Sequence, residues 1–98
     1  METECEYSVV DVSNNSTTVF TGACIYYGAI VTTALSAHAL PILDGANTIA
    51  AFAASAAVGA TSSPAGLAGI RCTTGIVVDP NDAATGTITV YFRRVRFD

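Results

Sequence analysis

Near its C-terminus the chain carries the run Asp79-Pro80-Asn81-Asp82-Ala83-Ala84-Thr85-Gly86, followed by Thr87-Ile88-Thr89-Val90-Tyr91-Phe92 and Arg93-Arg94-Val95-Arg96-Phe97. Apolar Ile88, Val90 and Phe92 alternate with Thr87, Thr89 and Tyr91. That period of two places successive side chains on opposite faces of a half-buried strand. Pro and Gly in the preceding run favour a turn, so the strand is expected to be the return leg of an antiparallel sheet. Val95 and Phe97 break the parity. Either a bulge falls at Arg93-Arg94 or the tail leaves its own sheet.

The rest of the chain reads as further short strands between turn signals. Residues 5–12 alternate loosely and end at the polar cluster Ser13-Asn14-Asn15-Ser16. Residues 17–21 form a short β-branched strand before Gly22. Residues 23–33 are apolar on both parities, as in a strand that is central in a sandwich or faces a partner. Residues 39–43 are the next strand, and Asp44-Gly45 is a hairpin signal leading into residues 47–52. Alanine-rich residues 49–58 have partial helical spacing, but they follow a hairpin turn and end at Gly59. Their first half is assigned to a strand and the remainder to a loop. Residues 61–69 form a Ser, Pro and Gly loop. Strands at 70–72 and 75–78 are separated by Thr73-Thr74. Seven to eight short strands at this spacing predict one all-β domain over residues 1–98, an antiparallel β-sandwich or barrel rather than a repeat protein. Residues 1–6 are expected to be an acidic arm and residues 93–98 a basic tail.

Charge is sparse and segregated. Only 12% of the 98 residues are charged, and lysine is absent. A surface so poor in charge is either built from Thr, Ser, Ala and Gly or covered by other subunits; the second is expected here. Glu2, Glu4 and Glu6 lie at one end of the chain and Arg93, Arg94 and Arg96 at the other. Opposite patches of this kind suit contacts between neighbouring copies, with Phe97 beside the basic group; solvated ends are the alternative. These seven residues are the candidate interface. The net charge of -4 gives no reason to expect nucleic-acid binding.

No catalytic constellation emerges, and no enzyme, cofactor or metal is expected. Cys5, Cys24 and Cys72 lack metal-ligand spacing and are expected to be buried free thiols. His38 has neither a Gly-x-Ser-x-Gly elbow nor a cysteine nearby, and reads as a polar residue at the start of a strand. Asp79, Asn81 and Asp82 offer oxygen ligands for calcium, yet a turn calls for the same residues. The acidic start lacks a secretory leader, and no stretch is long and apolar enough to span a bilayer as a helix. Folding in a cytoplasm and no membrane partner are therefore expected.

Three segments carry a family resemblance: Thr33-Ala34-Leu35-Ser36-Ala37-His38-Ala39-Leu40-Pro41-Ile42-Leu43-Asp44-Gly45, Ile70-Arg71-Cys72-Thr73-Thr74-Gly75-Ile76-Val77-Val78-Asp79, and Ala84-Thr85-Gly86 with its following strand through Phe92. Their order of strand, Asp-Gly hairpin, Ala-rich segment and closing Thr-Gly strand resembles small β-sandwich virion proteins of tailed bacteriophages, of marine and cyanobacterial type. The match spans roughly residues 20–95. Residues 93–98 and the acidic start fit that plan poorly, so no binding residue is transferred. The resemblance implies an antiparallel β-sandwich of jelly-roll type and a role as a capsid decoration (cement) protein on the outer capsid surface. Its partners would be the major capsid protein and itself, as a homotrimer. A tail or head-fibre attachment module is the alternative within the virion. A carbohydrate-binding sandwich using Tyr26, Tyr27 or Tyr91 is the alternative outside that structural class.

Overall fold

A computed structural model describes residues 5–13, 16–62 and 69–95 of the chain. Among these residues there are nine strands: β1 (Glu6–Asp11), β2 (Thr17–Thr21), β3 (Cys24–Thr33), β4 (Leu40–Asp44), β5 (Asn47–Phe52), β6 (Thr61–Ser62), β7 (Ile70–Cys72), β8 (Gly75–Val78) and β9 (Thr87–Arg94). One sheet has the order β1-β9-β3-β6, with β7 also on β3; the other runs β2-β8-β4-β5. Every pairing is antiparallel.

Both β6 and β7 lie along the same edge of β3, β6 at Ala29 and Ile30 and β7 at Cys24 to Tyr26. They therefore share one lane of the sheet, and nine strands occupy eight lanes. With that lane counted once, the order is that of two nested Greek keys, a jelly roll. The predicted all-β sandwich is the observed architecture.

Its core follows from alternation. Ile88, Val90 and Phe92 of β9 are buried, as are Val10 of β1 and Cys24, Tyr26, Ala29 and Val31 of β3. Leu40, Ile42, Phe52, Ile76 and Val78 meet them from the opposite sheet. Each such aliphatic or aromatic side chain contributes on the order of 1.5–3 kcal/mol when removed from water.

β3 is apolar on both parities for a local reason. Its ladder to β9 steps from Tyr26↔Phe92 to Gly28↔Tyr91, leaving Tyr27 as an extra residue. The inward set thereby changes from even to odd numbers. Gly28 adopts φ 134°, where an L side chain is strained. β3 is also central, between β9 and the β6–β7 lane.

The structure decides three further expectations. Of the two alternatives at Arg93-Arg94, the bulge is excluded: Ile25↔Arg93 and Cys24↔Arg94 continue the register, the bulges fall in β3, and β9 ends at Arg94. The strand after the Pro and Gly turn lies in an antiparallel sheet as expected, between β1 and β3, while β8 before the turn belongs to the other sheet. Glu6 opens β1, and Arg93 and Arg94 close β9, so these residues belong to the sheet and not to an arm or a tail.

The two ends of the sandwich differ. At one end, two-residue turns join β2 to β3, β4 to β5 and β7 to β8. At the other, longer connections follow β1, β3, β5 and β8.

Candidate interaction surface

Tyr7 and Tyr91 face each other across β1 and β9, in the row that continues to Gly28 of β3. The next row is Val9, Thr89 and Ile30. Tyr7 is 69% exposed, Val9 61% and Tyr91 37%. Val58, in a loop, is the other large apolar residue exposed among the described residues. Ile25 and Tyr27, both half-buried, extend the surface toward Gly69. An added Cβ at Gly69 would lie 2.6 Å from Ile25 Cγ2 and 3.1 Å from the Tyr27 ring, so these side chains share that corner. These two central rows hold no charged residue. Arg93, Ile25 and Arg71 form the row at the short-turn end; Asp11 and Thr87 begin the row at the other. The outer face of this sheet is thus apolar and aromatic at its centre, with ionic groups at its ends. Apolar groups gathered this way on a water-exposed face make it the candidate interaction surface.

The predicted interface residues divide. Glu2, Glu4, Arg96 and Phe97 lie outside the described residues. Glu6 and Arg94 come together within one chain: Arg94 Nη2 and Nε donate to Glu6 Oε1 at 2.8 and 3.1 Å. The guanidinium also lies 5.6 Å from the centre of the Phe20 ring, which packs on Phe92 at 5.7 Å. Arg94 therefore closes the mouth between the sheets, joining β9 to β1 and covering the β2 aromatic. Arg93 sits one residue earlier in the register, opposite Ile25. Sequence reasoning chose charge and missed the Tyr7–Val9 strip; the alternation of Tyr7, Val9 and Asp11 was its signal.

Other singled-out residues have structural partners. Tyr26 is buried and donates its hydroxyl to the Ser62 carbonyl at 2.8 Å, which separates it from the exposed tyrosines. Asn81 Oδ1 accepts the Ala83 N–H at 2.9 Å, and its carbonyl accepts that of Ala84, as an Asx turn requires. Ser36 Oγ lies 3.2 Å from His38 Nδ1 and accepts the Thr85 N–H at 3.0 Å. The Ser36 backbone adds bonds to Thr85, His38 and Ser55. This serine and histidine stand two residues apart in one loop, and Ser36 ties that loop to two neighbouring connections.

Asp44 is the acceptor at the opposite end. Its carboxylate receives N–H bonds from Thr73 at 3.1 Å, Thr74 at 2.9 Å and Gly75 at 3.2 Å. Burial raises its pKa, but the bonds from Thr74, Thr73 and Gly75 outweigh that and hold it below the ordinary value. One carboxylate thus fastens the β4–β5 hairpin to the β7–β8 turn. Cys24 and Cys72 are buried free thiols as expected, whereas Cys5 is exposed.

Among the described residues, no group of three or more His, Cys, Asp or Glu side chains is placed to hold a metal ion. No known protein family, curated protein or solved structure matches the chain.

Proposed function

We propose that the chain is a structural virion protein, a capsid decoration protein that docks on the major capsid protein lattice and braces the head. The observation that carries this reading is the exposed face of Tyr7, Val9 and Tyr91 across β1 and β9. Rows of apolar groups without central charge suit a broad protein contact, and polar or ionic rims suit its register. Jelly rolls serve in viral capsid domains, and the sequence resemblance points the same way; both supports are analogies of fold and motif. A homotrimer at local three-fold positions of the lattice is the assembly proposed.

Mixing purified protein with emptied, expanded capsids and sedimenting them tests the docking. Bound protein should co-sediment, and Tyr7→Glu with Val9→Glu should abolish it while the circular dichroism spectrum stays unchanged. Unchanged occupancy of the double variant would sink the assignment of this face. Light scattering at low and high salt reads the oligomer directly.

A second reading rests on the same aromatic pair. Jelly rolls also serve as lectin domains, and Tyr7 and Tyr91 present ring surface to water. A carbohydrate-binding module would bind sugar saturably and lose that binding on Tyr91→Ala.

A further inference from the structure

We propose that Cys24 and Cys72 are a latent cross-strand disulfide, a redox modification site that locks the β6–β7 edge lane onto β3. The residues are direct partners in the antiparallel ladder between β3 and β7. Directly opposed residues in such a ladder have Cα atoms about 4.5–5.5 Å apart, inside the span that a disulfide bridges. Both side chains point into the core and both are fully buried. The Cys72 thiol also donates to the Ile70 carbonyl at 3.8 Å. The bridged geometry therefore fits the strands in their native positions, with rotation about the side chains alone.

The location gives the bond a consequence. β7 holds β3 through three residues only, and the lane register changes between Ser62 and Ile70. A covalent link at Cys72 would fix the weakest lane of the sheet to its centre. It would also join positions 48 residues apart, Cys24 and Cys72, and so restrict the unfolded chain.

The oxidant is a low-molecular-weight disulfide such as oxidised glutathione. One protein thiolate attacks it, giving a mixed disulfide and releasing one small thiolate. The second protein thiolate attacks the protein sulfur of that mixed disulfide and displaces the other small thiolate. The two protein thiol protons end on the two small thiols, and two protein thiols are oxidised as one disulfide is reduced. Burial, the neighbouring Cys24 and Asp44 push the Cys72 thiol up to about 12, so little thiolate exists in the closed fold. Exchange is accordingly slow until β7 opens, and the bond once made is protected.

The test uses Cys5→Ser, which removes the exposed competitor, incubated with oxidised glutathione at low and at sub-denaturing urea. Intact mass should fall by two hydrogens, with peptide mapping linking Cys24 to Cys72, and faster in urea. The melting temperature of the oxidised form should rise by on the order of 10 °C, and dithiothreitol should reverse it. Persistent free thiols after prolonged exposure, stable glutathione adducts, or a bridge that lowers the melting temperature would each overturn the proposal. Wild-type protein mapped the same way supplies the check should the variant fail to fold, because a Cys5-linked dimer without the Cys24–Cys72 bridge would also overturn it.

Discussion

Asp44 is the side chain on which the short-turn end converges. Two of its three N–H donors, Thr73 and Thr74, are amides of the β7–β8 turn and the third, Gly75, opens β8, so removing the carboxylate takes the acceptor from all three together. Asp44→Ala should cost about 1–3 kcal/mol at neutral pH in urea unfolding. The acid limb follows from the sign of the shift. The folded-state pKa is depressed, so the stabilisation is present above the unfolded value near pH 4 and disappears as pH falls through the folded one. Melting temperature measured from pH 6 to 2 should fall less steeply in Asp44→Asn than in wild type. Asp11, lowered by its bonds with Ser13, keeps part of the slope in both. A different outcome is expected at Arg94, where the ion pair is 54% and 41% exposed. A double-mutant cycle with Glu6→Gln and Arg94→Ala should give a coupling of no more than about 1 kcal/mol, screened by salt. A larger, salt-insensitive coupling would mean that the mouth of the sandwich is less wet than the exposures indicate.

At the scale of elements, the strands were legible because period-two patterns and turn residues act locally. Residues 17–21, 70–72 and 75–78 were assigned with their observed bounds, and the loop after Phe52 was separated from its strand despite six alanines nearby. What could not be read was the bulge at Tyr27, since an extra residue in a ladder shows only against the partner strand. The sheet switch at two of the three tight turns, β2–β3 and β7–β8, was equally hidden. Gly75 marks one such switch: its φ is +144°, and an added Cβ would lie 2.2 Å from the Phe20 carbonyl oxygen. Gly75→Ala should therefore destabilise by roughly 3 kcal/mol or more, through backbone strain and displacement of β2 from β8. Thermal unfolding reads this, and a loss below about 1 kcal/mol would contradict so close an approach.

For the molecule as a whole, the candidate surface depended on placement. Charge segregation in sequence directed attention to Glu6 and the arginines, and folding joined Glu6 to Arg94 within one chain. The aromatic strip arose because β1 and β9, at opposite ends of the sequence, are neighbours in one sheet. Replacing Arg93, Arg94 and Arg96 together by Ala should weaken capsid attachment by several-fold and flatten its salt dependence. It should change monomer stability little if the arginines act between molecules. Unaltered capsid occupancy with a lowered melting temperature would assign them to the fold alone.

By itself the sequence determined the class of fold, the positions of nearly all strands and the inward set of the closing strand. Those properties depend on residues within reach of one another along the chain: alternation, β-branching, and Pro, Gly and Asn at turns. The tertiary structure alone decided the jelly-roll order, the Tyr7–Tyr91 row, the Cys24–Cys72 pair and the three bonds to Asp44. Each joins residues separated by many positions, and only ladder register and sheet-on-sheet packing say which of them meet.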